Sequence, residues 1–242
     1  MKLLCLDRGN SSLKGILYQD DQAIARLNPA LPEKEALREL LSMELEGIAL
    51  CSVRPSEDVL IHALAGEVGQ KVWQVKGDSP TPFPVDIDKR KTLGPDRICN
   101  AAAAVFQKRN PVVIVDAGTA ITLDLVDLEG VFRGGAILPG PRLWLASLAG
   151  GTELLGQVEP NPKVSPLGRH SQEALQAGLL GMGGAVQELI LRLGDLLSED
   201  FSVILTGGAS AFLADTMPDL AFEREADWTL EGLRFLHKES RP

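Results

Sequence analysis

Asp7-Arg8-Gly9-Asn10-Ser11-Ser12-Leu13-Lys14 and, about half a chain later, Asp116-Ala117-Gly118-Thr119-Ala120-Ile121-Thr122-Leu123-Asp124 decide how this chain is read. Each follows an apolar run, and each has the order apolar strand, Asp, any residue, Gly, then a small residue bearing a hydroxyl or an amide. Strand, tight turn, strand is the natural reading. Gly gives the backbone freedom a turn requires, and N–H groups beside Asn, Ser or Thr can cradle a phosphate. A carboxylate next to a phosphate is repulsive unless a cation stands between them. Either turn alone reads as an ordinary hairpin. Two copies separated by half the chain read as a duplicated domain, each half opening with the same phosphate-binding hairpin, and point to a metal-bridged polyphosphate held from both sides.

The 242 residues are 45% hydrophobic, enough for one large domain or two of about 110 to 130 residues. A formal net charge of −9, with no basic run or basic-aromatic stripe to offset it, argues against nucleic acid as the main partner. A small anionic ligand would then depend on local N–H groups, Lys, Arg and metal. Cys5, Cys51 and Cys99 are scattered in or beside apolar runs and read as buried free thiols. His62, His170 and His237 show no metal-ligand spacing. The opening Met1-Lys2-Leu3-Leu4-Cys5-Leu6 is too short for the apolar region of a signal peptide, and no apolar run reaches transmembrane length. The expected location is the cytoplasm, with no membrane partner.

Leu3 to Leu6 and Gly15 to Gln19 read as the arms of the first hairpin, with Ala23 to Leu27 as a third strand. Glu33 to Leu45 has helical spacing, Gly47 to Val53 reads as a buried strand, Ser56 to Val68 as a helix capped by Ser56, and Val72 to Val75 as a short strand. After a Pro-rich turn region and Leu93-Gly94-Pro95-Asp96-Arg97, the stretch Asn100 to Lys108 is helical. Its Ala101 to Ala104 are so small that something must pack closely against them. The pattern then restarts: strand from Pro111, Asp turn, strand through Val126, turn at Glu129-Gly130, strand Val131 to Ile137. A helix near Ser171 to Leu197, a strand Phe201 to Leu205, the turn Thr206-Gly207-Gly208 and a closing helix Leu230 to Lys238 follow. The halves are expected at 1–110 and 111–242, sharing a cleft.

These residues carry a resemblance. Asp7-x-Gly9-Asn10-Ser11-x-x-Lys14, Gly94-x-Asp96-Arg97, Asp116-x-Gly118-Thr119-Ala120-x-Thr122-x-Asp124, Gly134-Gly135-x-Ile137-x-Pro139-Gly140 and Thr206-Gly207-Gly208, in that order, resemble type III pantothenate kinase, of the acetate and sugar kinase, Hsc70 and actin superfamily. The resemblance spans essentially the whole chain and implies an α/β fold of duplicated ribonuclease H-like, actin-like ATPase domains, each with a mixed five-stranded sheet. It implies ATP-dependent phosphorylation of the primary hydroxyl of pantothenate, the first committed step to coenzyme A.

On that resemblance Asp7, Gly9, Asn10, Ser11, Lys14, Gly118 and Thr119 bind ATP and its phosphates, and Gly207 and Gly208 lie close to the adenosine, where a base or ribose on backbone leaves no room for a Cβ. Asp96 is the general base and Arg97 holds the acid substrate, its planar fork suiting a carboxylate. Gly94 and Ser171 complete the substrate side. Magnesium belongs with Asp7, and a monovalent cation, potassium or ammonium, with Asp116. Read without the resemblance, Asp96 in a first helical turn is stabilising with no chemistry, Lys14 is a solvated strand-end lysine and Ser171 a helix cap. Asp124 reads as structural.

Two departures from the family pattern stand out. A Tyr often lines the pantothenate pocket nine residues before Asp96, and here the position is Ile87, followed by Asp88-Lys89-Arg90-Lys91; Arg8 and Ser11 stand where apolar and Thr residues are commoner. The alternatives are a kinase or phosphatase of the same superfamily acting on another small hydroxylated substrate, and a nucleotide-binding regulatory protein. A homodimer is also expected, from the small-residue helix Asn100 to Val105 and the apolar segment Leu143 to Leu148 with Trp144, either of which reads equally as an ordinary core contact.

Overall fold

Short, near-continuous apolar runs form the central strands of two sheets of the same design in the computed structural model, which describes residues 1–197 and 200–240. The first sheet has the order β3-β2-β1-β4-β5, formed by Lys2–Arg8 (β1), Leu13–Gln19 (β2), Gln22–Arg26 (β3), Gly47–Ser52 (β4) and Val72–Gln74 (β5). The second has the order β10-β9-β6-β7-β8, formed by Val112–Ala117 (β6), Ala120–Val126 (β7), Phe132–Pro139 (β8), Ser202–Thr206 (β9) and Glu223–Arg224 (β10). In each sheet an antiparallel meander is followed by parallel strands. β1 pairs antiparallel with β2 and parallel with β4, and β6 pairs antiparallel with β7 and parallel with β9. This repeat is the duplication expected from the two Asp turns.

The chain divides into two compact units, Met1–Lys108 with the segment that begins at Asp227, and Arg109–Ala226. The closing helix therefore does not stay with 111–242 as the sequence reading placed it. That helix, Trp228–Glu239 (α7), packs along Pro95–Phe106 (α3), the helix of small residues. Ala101 to Ala104 are fully buried, and a Cβ at Gly232 of α7 would lie 1.7 Å from the Cys99 carbonyl oxygen. The Trp228 indole N–H donates to the Asn100 carbonyl at 3.0 Å, and the Thr229 hydroxyl donates to Asn100 Oδ1 at 2.9 Å. The close partner demanded by the alanines is thus inside the chain, and that face is not available to a second subunit.

On the opposite face of the first sheet, Leu4, Leu6, Leu17 and Leu50 meet Leu37, Leu40, Ile61 and Leu64 of Glu33–Leu41 (α1) and Val59–Glu67 (α2). α1 stops four residues short of the expected Leu45, where the Ser42 hydroxyl donates to the Glu39 carbonyl at 2.7 Å. Ser56 caps no helix. Pro55–Glu57 forms a 3₁₀ turn, because Pro fixes a tight start, and α2 begins after Asp58. In the second unit, Pro141–Gly151 (α4), Ser171–Gly194 (α5) and Ser210–Thr216 (α6) contribute Leu145, Leu175, Leu179 and Leu213 to a core around Val113, Val115, Ile121, Leu123 and Leu205.

Candidate functional site

In the first unit, Asp7 lies near the C-terminal end of β1, directly opposite Lys14 on β2 and beside Cys51 on β4. Antiparallel partners share a face, so Asp7 and Lys14 lie on the same side of the sheet, the side covered by α3 and α7. Gly9 N–H donates to the Ser12 carbonyl at 3.0 Å and closes the turn, leaving Asn10 and Ser11 exposed at its tip.

Asp96 and Arg97 occupy the second and third positions of α3, after Gly94 as the N-terminal boundary residue and Pro95 as the first helical one. The Arg97 N–H donates to Asp96 Oδ1 at 2.9 Å. A Cβ on Gly94 would stand 2.3 Å from that same oxygen, so glycine leaves the space the carboxylate fills. All four residues from Gly94 to Arg97 are half-buried.

One helical turn on, the Cys99 thiol meets Cys51. The hydrogen bond to Cys99 and then burial raise Cys51 well above the ordinary thiol range; Cys99 is raised by burial, with the bond from Cys51 opposing. Asp7, beside Cys51 in the register of β1 and β4, and Asp96, three residues before Cys99 in α3, both act electrostatically on these two thiols. The three cysteines are free and buried, as expected, and burial makes Cys5 similarly reluctant to ionise.

In the second unit, Asp116 lies at the end of β6, opposite Thr122 on β7 and beside Thr206 on β9. Gly118 N–H donates to the Ala120 carbonyl at 2.9 Å, closing a turn that presents Thr119. Gly207 has φ +88°, and a Cβ there would fall 2.4 Å from the Ala117 carbonyl oxygen and 2.5 Å from Asp116 Oδ1. Only glycine fits on both counts. Gly208 has open space where its side chain would be. Asp124 is fully buried within β7. Ser171 opens α5 as its first residue and is not its cap: the Glu173 N–H donates to the His170 ring, which caps the helix instead.

Asp7, Gly9, Asn10, Ser11, Lys14, Gly94, Asp96 and Arg97 thus fall in the first unit, and Asp116, Gly118, Thr119, Ser171, Gly207 and Gly208 in the second. The sequence reading missed Arg54, whose Nη1 donates to the Asn10 carbonyl at 2.9 Å. Its signal was positional: it follows β4 at the carboxyl end of a parallel strand, where ligands collect in such sheets.

The profile of the type III pantothenate kinase family matches residues 3–192. The chain belongs to the type III pantothenate kinase family. A type III pantothenate kinase of Thermomicrobium roseum is 36% identical over 197 residues, covering 79% of this chain and 74% of that protein. Among solved structures, a protein from Campylobacter jejuni described as a Baf family transcriptional activator aligns with a TM-score of 0.61 at 22% identity, covering 98% of each chain. A protein from Sinorhizobium meliloti described as a 2-dehydro-3-deoxygalactonokinase aligns with a TM-score of 0.59 at 12% identity, covering 99% of each chain. At such identities these two similarities speak to the fold alone, the α/β architecture of two like sheets in this pantothenate kinase family member.

Proposed function

We propose that the chain transfers the γ-phosphoryl group of ATP to the primary hydroxyl of pantothenate, giving 4'-phosphopantothenate in the first step of coenzyme A biosynthesis, with Asp96 as the general base. The observation that carries this reading is the Gly94-Pro95-Asp96-Arg97 turn at the start of α3, with its half-buried carboxylate and guanidinium, in a chain of this family. Asp96 accepts the proton of the attacking hydroxyl, and Arg97 holds the substrate carboxylate. Gly94 and Ser171 complete the substrate side. Phosphoryl transfer proceeds through a loose transition state, so positioning and charge neutralisation outweigh the strength of the base.

Asp7, Gly9, Asn10, Ser11 and Lys14 form one phosphate-binding hairpin, and Gly118 and Thr119 belong to the other; Gly207 and Gly208 lie under the adenosine. Asp116, flanked by Thr122 and Thr206, offers oxygen donors that suit a hard cation. Asp7 would hold magnesium directly or through water, and Asp116 potassium or ammonium. Bound there, the cations would neutralise polyphosphate charge. The protein acts in the cytoplasm on a small molecule, without nucleic acid or membrane. It works as a homodimer, a reading supported by α4, where Leu143 remains 43% exposed beside the half-buried Trp144.

One assay tests the chemistry: ADP release with pantothenate against sugars, acetate and water, in potassium and in sodium. Pantothenate should be the preferred acceptor, sodium should slow the reaction, and Asp96→Asn should lose about 10²-fold or more in kcat with ATP affinity within a few-fold. Near-normal turnover of folded Asp96→Asn removes it as the base, and indifference to potassium and ammonium removes the cation from Asp116. Light scattering across a dilution series tests the dimer, which a fully active single chain would exclude.

A further inference from the structure

The backbone fixes Arg54 before its side chain makes any contact. Val53 N–H donates to the Arg8 carbonyl at 3.0 Å, extending the pairing of β1 and β4. Arg54 N–H donates to Ser52 Oγ at 3.1 Å, and the Arg54 carbonyl accepts the Glu57 N–H at 2.9 Å. Ser52 is itself held, its hydroxyl donating to the buried Asp58 carboxylate at 2.9 Å. From this anchored position the Arg54 side chain, 42% exposed, meets Glu57 Oε1 through Nη2 at 2.5 Å and donates from Nη1 to the Asn10 carbonyl at 2.9 Å.

The Asn10 carbonyl shares its peptide with the Ser11 N–H. Among the described residues the cis bond is Asn110–Pro111, so the Asn10–Ser11 peptide is trans. In a planar trans peptide the C=O and N–H point to opposite sides. A carbonyl turned toward Arg54 therefore turns the Ser11 amide away from Arg54. The choice matters because turn types differ by the orientation of a single central peptide, and an exposed loop can adopt more than one. The Arg54–Glu57 pair is exposed to water, so its contribution to global stability is small.

We propose that Arg54 is a positioning residue of the first phosphate hairpin: by holding the Asn10 carbonyl it aims the Ser11 amide at the phosphate of bound nucleotide, and Glu57 steadies Arg54 in that task. This rests on the reading of Asp7–Lys14 as a phosphate-binding hairpin.

Steady-state kinetics on the full chain test it. Arg54→Ala should raise the KM for ATP about three- to ten-fold, with kcat and the KM for pantothenate within about two-fold and the melting temperature unchanged. Glu57→Gln should raise the KM for ATP in the same direction by a smaller factor, and Arg54→Lys should restore part of the loss. Ser11→Pro removes the amide itself; combined with Arg54→Ala it should add less than the two single effects multiplied. An unchanged KM for ATP in Arg54→Ala, with Ser11→Pro or Asp7→Asn still impaired, overturns the role of Arg54 and leaves the hairpin reading standing. If neither Ser11→Pro nor Asp7→Asn alters the KM for ATP, the hairpin reading fails and takes the proposal with it. A lower KM in Glu57→Gln also overturns it, since that is the behaviour of an arginine that meets phosphate directly in competition with Glu57.

Discussion

Around the turn that follows β1, side chains do the bracing, whereas around the turn that follows β6 the backbone does. Arg8, only 5% exposed, forms a two-pronged bond with Glu33 at 2.8 and 2.7 Å and lies 3.8 Å from the buried Asp58, while Arg54 holds the turn tip at Asn10. At the second turn, Gly140 N–H donates to the Thr119 carbonyl at 2.8 Å, Ala209 N–H donates to the Ala117 carbonyl at 2.7 Å, and Gly207 presses against the Ala117 carbonyl with no room for a side chain. The two turns repeat a topology and differ in support. A charge-braced turn tolerates the loss of one partner by hydration. A turn braced by touching backbones has no such reserve, because protein interiors are close-packed.

The sharpest way to break that contrast is Gly207→Ala. A Cβ at φ +88° meeting a carbonyl oxygen at 2.4 Å must displace the strand end that carries Asp116. The variant should lose about 10²-fold in kcat/KM and several degrees in melting temperature, measured by ADP release and calorimetry. Gly208→Ala, with open space at the same turn, should melt like the wild type. Equal melting of Gly207→Ala and wild type would show that the second turn is not braced as described.

A smaller effect is expected at the first turn. Arg8→Ala leaves Glu33, whose side chain is 37% exposed, to water, and leaves the buried Asp58 with its bonds from Ser52 and Gln74. The cost should be about 1–3 kcal/mol in urea unfolding. A loss in Arg8→Ala as large as that in Gly207→Ala would erase the distinction between the two braces.

The last effect is a pH dependence confined to the first unit. Cys5, Cys51 and Cys99 are all there and all raised above the ordinary thiol value, as is Tyr18, pushed up by burial and then by Glu231. A raised folded-state value means that the whole contribution is present below the unfolded thiol value of about 8.5. As pH rises past that point the unfolded chain releases protons the folded chain retains, so stability falls, by at most about 1.4 kcal/mol per pH unit for each thiol. Hydrogen exchange at pH 8 and pH 9.5, corrected for the intrinsic rate, should show β1 and β2 losing protection while β6 and β7 hold theirs. Equal loss in both hairpins would remove the thiols as the cause, and Cys5→Ala should flatten the slope in the first.

Strands and turns were legible because their signals are local. An apolar run ending in Asp-x-Gly gave β1 with β2 and β6 with β7, and Gly94-Pro95 marked the start of α3, since Pro has a fixed φ that suits a first helical residue. α6 and β10 were not legible: Ser210–Thr216 is one short helix of mixed composition, and Glu223–Arg224 is a two-residue edge strand ordered by pairing with the distant β9, by an ion pair to Arg109 and by a bond to Ser210. Ser56 and Ser171 misled as caps because a hydroxyl before a helical pattern is a common cap, and the competing Pro55 and His170 act through geometry that composition does not display. Arg54 was invisible because its bond to Asn10 joins residues 44 positions apart.

The sequence by itself determined the repeated hairpins, the α/β order, the family and the residue types that a phosphotransferase of this family would use. Those follow from hydrophobic periodicity and from glycine, proline and aspartate at fixed short spacings, all properties of neighbouring residues. Tertiary structure alone decided that α7 returns to the first unit to cover the alanines of α3, and that Asp7 and Asp96 both act electrostatically on one buried pair of thiols. It alone decided, too, that one turn is held by charge and the other by glycine against backbone. These are contacts between residues far apart in the chain, selected by which surfaces fit when the sheets are covered, and no local pattern encodes which distant partner will supply the fit.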